Sequence, residues 1–197
     1  MFKYVDKPQL PQHIIDYVHK RVAEYNVESK LPEFQKMQIN DDIIAEIEKH
    51  YGTPKEGLGV TFDTAYKYEG LCNFTMIRAE GELLQWITEH VAPNHCGVHI
   101  QVIDNGEYVF PHVDMLRNRV WNYTIDTGDA ETSFYKAKPE YEHLPLVPRT
   151  YVPYERVDKV ETIKIDANRW HELDVSKIHG VEKVKTPRIA ISVSFVD

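Results

Sequence analysis

The sequence predicts an α+β domain in which an antiparallel barrel or double sheet is backed by N-terminal helices. Helical periodicity is confined to the first half of the chain. From Cys96 onward nearly every apolar run alternates with period two between turn residues. No internal repeat, heptad run or nucleotide-binding Gly-rich loop breaks that order. At 197 residues the chain fits one domain, 1–197, long enough to bury a proper core. Residues 1–95 read as a helix-rich support, and 96–197 as the core of about eight strands.

Pro11 to Asn26 carries Ile14, Ile15, Val18, Val22 and Tyr25 at helical spacing with polar residues between. A second helix is expected where Asn40-Asp41-Asp42 precedes Ile43, Ile44, Ile47 and Tyr51, with Gly52 as its stop. Their apolar stripes are cover for a sheet, which leaves His13, His19 and His50 without a catalytic assignment. Two extended runs follow, at Val60 and Phe62 and at Phe74, Met76 and Arg78. A third helix presents Leu83, Leu84, Ile87 and Val91 on one face. Ala92-Pro93-Asn94 ends it, because proline and its predecessor disfavour helix continuation.

Val98, Ile100 and Val102 alternate with His99, Gln101 and Ile103 before Asp104-Asn105-Gly106, a tight hairpin signal. The chain then returns through Tyr108 to Asp114, which places that stretch on the second strand of a hairpin. A second hairpin is expected from Arg119–Ile125, the Thr127-Gly128-Asp129 turn and Thr132–Lys136. Residues 137–159 read as an irregular insertion, since Pro139, Pro145, Pro148 and Pro153 exclude a central strand. A solvated loop and a substrate lid are both open to it. Val160–Ile165 and Trp170–Val175 are strands flanking an Asp166-Ala167-Asn168 turn. In Arg188–Phe195, Ile189, Ile191, Val193 and Phe195 form a core face, while Arg188, Ala190, Ser192 and Ser194 suit a pocket.

A net charge of -8, from 23 Lys and Arg against 31 Asp and Glu, provides no general electrostatic reason to bind nucleic acid. Two cysteines, Cys72 and Cys96, are too few for a disulfide framework. With no signal-length or membrane-length apolar run, a cytoplasmic setting without membrane attachment is expected. Trp121 and Trp170 read as packing residues.

His112 and Asp114 lie two apart in an extended stretch, so they project from the same face and offer two corners of a metal site. Ser176-Lys177-Ile178-His179-Gly180-Val181 supplies a second histidine, and Arg188 follows nine residues after His179. This His112-Val113-Asp114, His179, Arg188 pattern resembles the Fe(II)/2-oxoglutarate-dependent dioxygenases. The wording His179-Gly180-Val181 and Pro187-Arg188-Ile189-Ala190-Ile191-Ser192 is similar to prolyl-hydroxylase-like and aspartyl/asparaginyl-hydroxylase-like members. Asn122-Tyr123 and Glu131 to Tyr135 look like the strand-turn-strand that follows the motif in that superfamily.

The resemblance covers the C-terminal half. It implies a double-stranded β-helix, the jelly-roll or cupin-like fold, with His112, Asp114 and His179 holding Fe(II). It implies further that 2-oxoglutarate and O2 are co-substrates, with succinate and CO2 as co-products. Arg188 would bind the distal carboxylate of 2-oxoglutarate, a task that suits a planar two-pronged donor. Tyr123 is the expected hydroxyl donor to that cofactor, with Ser192 and Asn122 as further candidates and Gln101 or His99 lining the cavity. The chain departs from the pattern in having Ala190 where many members place Ser or Thr two residues after the arginine. His171 is an alternative to His179 as the distal ligand. Retention of Asp114 favours hydroxylation or demethylation over halogenation.

The expected substrate is a protein side chain or a small amino-acid-like molecule. A cupin-like metalloenzyme that does not use 2-oxoglutarate and a non-catalytic binding module are the other readings of the same residues.

Overall fold

The computed structural model describes residues 2–28, 57–58, 74–114, 119–146 and 152–195. The helix expected after Asn40, the run at Val60 and Phe62, and Cys72 lie outside these residues. Two helices are described, α1 (Gln12–Glu28) and α2 (Gly81–His90). Neither is long and apolar enough to cross a membrane. In α1 the stripe Ile14, Val18 and Val22 is buried, and in α2 Leu83 and Ile87 are. The α2 helix stops where the amides of Val91 and Ala92 both turn back to the Ile87 carbonyl, just ahead of Pro93.

Ten strands follow one another along the described chain. They are β1 (Phe2–Tyr4), β2 (Phe74–Arg78), β3 (Gly97–Ile103), β4 (Val109–His112), β5 (Arg119–Asp126), β6 (Glu131–Ala137), β7 (Val157–Ile163), β8 (Arg169–Asp174), β9 (His179–Glu182) and β10 (Arg188–Ser194). A six-stranded sheet has the order β1-β8-β5-β10-β3-β2, and a four-stranded sheet the order β4-β9-β6-β7. Every pairing is antiparallel. Strands β3 to β10 divide four and four between the sheets, as β3, β5, β8 and β10 against β4, β6, β7 and β9. That is a double-stranded β-helix, a jelly roll backed on one side by helices.

The two expected hairpins do not form as ladders. The Asp104-Asn105-Gly106 turn is present, with Gly106 at φ 79° and the Glu107 amide donating to the Asp104 carbonyl. Yet β3 pairs with β10 and β2, while β4 pairs with β9 in the other sheet. The Thr127-Gly128-Asp129 turn likewise passes the chain from β5 in one sheet to β6 in the other. A turn signal fixes where a strand ends. The partner is fixed by which face must be buried, and here each turn is a corner between sheets. At the second corner a Cβ on Gly128 would stand 2.5 Å from the Thr186 carbonyl and 3.0 Å from the Arg188 Cβ, at φ 63°. Only glycine fits there without displacing the strand that carries Arg188.

The outer face of the six-stranded sheet packs on the helices. Val98, Ile100, Val102, Tyr123, Ile125, Trp170, Ile189, Ile191 and Val193 meet Leu10, Ile14, Val18, Leu83 and Ile87 in one cluster. Each such side chain, fully buried, contributes about 1.5–3 kcal/mol. Between the sheets two smaller apolar clusters close the interior, one around Ile103, Val109, Val181 and Val184, the other around Val120, Phe134, Leu173 and Val175.

The expected insertion is shorter than 137–159, because Ala137 still belongs to β6 and Val157 already begins β7. Its Tyr141, Leu144, Val152 and Tyr154 pack with Leu58, Val113, Tyr135 and Val157. The Val152 amide donates to the Pro111 carbonyl, and the Arg156 guanidinium to the carbonyls of Gly57 and Leu58. The insertion therefore braces β4 immediately beside His112.

Candidate metal centre

Strands β4 and β9 place His112 directly opposite His179, so the two rings share the inner face of the four-stranded sheet. Their centroids are 4.4 Å apart at 45°. Asp114 lies two residues past His112 and is held by its amide donating to the Val175 carbonyl at 3.0 Å. Its Oδ1 stands 3.3 Å from His112 Nε2 and 3.9 Å from His179 Nε2. One ligand atom from each of the three residues falls within 4.8 Å of the others.

The outer nitrogens set the chemistry of the inner ones. His112 Nδ1 lies 2.7 Å from the Phe110 carbonyl, and His179 Nδ1 2.9 Å from the Lys177 carbonyl. A carbonyl only accepts, so each Nδ1 carries the proton and each Nε2 turns a lone pair inward. Two nitrogen lone pairs and a carboxylate oxygen facing one another at these distances repel unless a cation sits between them. Two neutral imidazoles and one carboxylate are the donor set that first-row divalent metals take, Fe(II) among them. His171, the alternative ligand, is not in this group. It stands on β8 in the opposite sheet, and the structure sets His179 beside His112 and Asp114 instead.

Facing the metal-ligand sheet, the inner surface of the six-stranded sheet is polar at its middle. Strand register aligns His171, Asn122, Ser192 and His99 in one row across β8, β5, β10 and β3, and sets Thr124 opposite Ala190. Thr124, Ser192 and His171 are each 0 % exposed, and Asn122 is 5 %. Thr124 Oγ1, Ser192 Oγ, Asn122 Oδ1 and both ring nitrogens of His171 have no hydrogen-bond partner among the described residues. Each buried polar atom left in that state costs about 1–3 kcal/mol. These unpartnered atoms gather on one inner face.

Arg188 lies on the same inner face, two and four residues before Ala190 and Ser192 on β10. It is 8 % exposed, and no carboxylate pairs with it among the described residues. Burial pulls its pKa down to about 10, which still leaves it a cation at neutral pH. Burial first, and the Arg188 charge second, bring His171 down to about 3. The Arg169 backbone opposes this weakly, from outside full hydrogen-bond geometry. His171 is therefore a neutral imidazole beside a buried cation.

Tyr123 is not brought to the pocket. It faces outward into the helix-packed cluster, against Trp170 at 5.1 Å, because strand alternation that turns Asn122 and Thr124 inward turns Tyr123 out. Burial raises its phenol pKa, partly offset by the Leu10 backbone. Arg188, Ser192, Asn122, His99 and Gln101 all lie on the inner face. Thr124 was legible through its parity with Asn122 on the same strand, a signal that the tyrosine hydroxyl obscured.

The His171 shift makes acid stability a test of the pocket. With the folded value near 3 and the ordinary value 6.5, the unfolded chain binds more protons between those limits. Stability is then complete above about pH 6.5 and falls as pH falls, by up to about 1.4 kcal/mol per unit. Between pH 7 and 5, wild-type protein is expected to lose on the order of 2 kcal/mol more than His171→Gln in urea unfolding. Equal losses in the two proteins would show that His171 is not held neutral.

No protein-family model matches the chain, and no curated protein matches it. Among solved structures, it is similar to the Escherichia coli ribosomal oxygenase YcfD at 13 % identity and TM-score 0.38, over 57 % of this chain and 27 % of that one. The chain thus spans about a quarter of that protein's length. The same oxygenase solved with cobalt and 2-oxoglutarate matches at 14 % identity and TM-score 0.37, again over 57 % and 27 %. The α-ketoglutarate-dependent epimerase SnoN of nogalamycin biosynthesis matches at 10 % identity and TM-score 0.42, over 81 % and 75 %. Strand order, rather than these distant likenesses, defines the fold: a double-stranded β-helix, the cupin-like jelly roll. Its inner faces carry a possible His-Asp-His metal site.

Proposed function

We propose that the protein is an Fe(II)- and 2-oxoglutarate-dependent oxygenase. It hydroxylates a C–H bond of a protein side chain or a small amino-acid-like substrate, with succinate and CO2 as co-products. The observation that carries this reading is the pairing of two half-sites on facing sheets. His112, Asp114 and His179 bring ligand atoms within 4.8 Å of one another, and Arg188 is a buried cation with no carboxylate partner among the described residues. A bare metal site needs no such cation, and a structural arginine would have a counter-charge.

Iron held by His112, Asp114 and His179 would supply O2 activation. His112 and His179 keep their Nε2 lone pairs available through the carbonyls behind them, and Asp114 supplies the anionic ligand. Arg188 would hold the far carboxylate of a 2-oxo dicarboxylate, a task its forked N–H donors suit. The apolar clusters at either end of the interior exclude water from it.

Anaerobic addition of Fe(II) and 2-oxoglutarate is expected to produce a visible metal-to-ligand charge-transfer band that His112→Ala abolishes. A band that survives in His112→Ala removes the metal assignment. Iron binding with no response to 2-oxoglutarate returns the protein to the cupin-like metalloenzymes that use no 2-oxo acid. The substrate is then sought by 2-oxoglutarate consumption across amino acids, peptides and oligonucleotides.

A further inference from the structure

The six-stranded sheet is wider than the sheet that faces it. Strand β4 is an edge of the four-stranded sheet, whereas β3, joined to it by the Asp104-Asn105-Gly106 turn, still has β2 beyond it. Ile77 of β2 is buried in the helix-packed cluster, so strand alternation turns Met76 and Arg78 to the inner side, the side of the metal ligands. Both stay open there: Met76 is 39 % exposed, and Arg78 is exposed. The row of His171, Asn122, Ser192 and His99 continues onto β2 at Arg78, which pairs with His99. Along that row His171, Asn122 and Ser192 are buried, His99 is half-buried and Arg78 is exposed. The interior therefore opens on the β2 side.

The metal ligands lie on that same flank. Ile103 and Val109 meet in one apolar cluster and fix a common level for β3 and β4. His112 is three residues onward along β4, and Gln101 and His99 are two and four residues back along β3. At about 3.3 Å per residue, His112 is about 10 Å from that level, and Gln101 and His99 about 7 and 13 Å. His112 thus stands level with Gln101 and His99, and with their neighbours Met76 and Arg78. Ligand exposure grades the same way: the side chain of His112, on the edge strand, is 18 % exposed, and that of His179, one strand further in, 9 %. Met76, Arg78, His99 and Gln101 form a shelf along the open flank of the candidate metal centre.

Arg78 forms no ion pair among the described residues, and its planar fork suits a carboxylate. The charge that this shelf complements is therefore negative. A small-molecule site encloses most of its ligand. This shelf instead sets an exposed methionine beside the cation, which suits a segment of a longer chain lying across it. We propose that the shelf is the platform for a peptide substrate, and that Arg78 binds an Asp or Glu side chain flanking the residue presented to the metal. This inference rests on the oxygenase reading above, and its test separates the two.

The Fe(II) protein with 2-oxoglutarate is offered three probes: a pool of short random peptides containing Asp and Glu, the matched pool with Asn and Gln in their place, and free glutamate. Consumption of 2-oxoglutarate above the probe-free rate is read against probe concentration. The acidic pool is expected to reach half-maximal stimulation at about 10-fold lower concentration than the matched pool. Arg78→Gln is expected to remove that difference, and Arg78→Glu to turn the preference toward a pool bearing Lys and Arg. In both variants the anaerobic charge-transfer band with 2-oxoglutarate is expected to match wild type, which shows a folded protein with its iron site intact. Equal response to the acidic and matched pools, an acidic preference that survives either substitution, a preference for free glutamate, or no response to any probe overturns the Arg78 assignment. So does loss of the band in the variants, which would place Arg78 with the co-substrate. In each of these cases a wild-type band leaves the oxygenase reading standing. Wild-type protein that forms no band overturns both.

Discussion

Arg188→Met is expected to make the ligand-free protein more stable while removing its affinity for 2-oxoglutarate. The two effects are opposite in sign because the arginine is 8 % exposed and burial alone lowers its pKa to about 10. A charge held in the core with no counter-charge among the described residues is a net cost to folding, and methionine fills similar length with apolar atoms. Replacement of buried ion pairs by apolar residues stabilises proteins by about 1–4 kcal/mol, and an unpaired cation is a less favourable starting point than a pair. At this chain length each kcal/mol moves the melting temperature by about 2–4 °C, so a rise of several degrees is expected. In the same variant, 2-oxoglutarate affinity is expected to fall by about two orders of magnitude, as a charge-assisted bidentate contact is lost. Saturating 2-oxoglutarate with metal should raise the wild-type melting temperature through ligand linkage and leave the variant unmoved. A variant that melts several degrees lower yet binds 2-oxoglutarate normally would make Arg188 a structural residue.

How much of this was legible from the sequence depends on whether the deciding interaction is local. Helices α1 and α2 are written in stripes of three and four residues, and the strands with long alternating runs, such as β3 and β10, are written in period two. The short strands are not. β1 has three residues, and β9 is a four-residue strand with Gly180 inside it. Pairing partners are non-local, so Asn105-Gly106 marks a reversal without revealing that β3 and β4 enter different sheets. His112, Asp114 and His179, whose ligand atoms lie within 4.8 Å of one another, were legible because two histidines and a carboxylate carry metal-binding chemistry in their residue types. The polar inner face of the six-stranded sheet was legible only in part. Arg188 is marked by its charge on an otherwise small-residue face. Strand parity turns Asn122 and Thr124 inward and Tyr123 outward, so the tyrosine hydroxyl was the misleading signal.

Gly180→Ala is expected to lower metal affinity by about 10- to 100-fold, the range typical of lost support behind a metal ligand, although Gly180 ligates nothing. An added Cβ would stand 2.6 Å from the Val109 carbonyl oxygen and 3.3 Å from the Phe110 carbonyl. Neither is the flexible end of a side chain, so backbone must move. The β4–β9 ladder is already irregular between Val109 and His112, which makes β4 the strand that yields. The Phe110 carbonyl is also the acceptor for His112 Nδ1 at 2.7 Å. Displacing it loosens the hydrogen bond that keeps the proton on Nδ1 and the lone pair on Nε2. A loosened His112 turns away from His179 and Asp114, and the ligand set opens on one side. The overpacking itself costs about 1–3 kcal/mol of stability, so melting curves must accompany the measurement to confirm a folded variant. Competition against a chromophoric chelator reads the affinity. A folded Gly180→Ala protein that holds Fe(II) as tightly as wild type would show that His112 is positioned by something other than the β4 backbone. Weakened metal binding with 2-oxoglutarate affinity lost in proportion would tie both half-sites to the single close approach of β4 and β9.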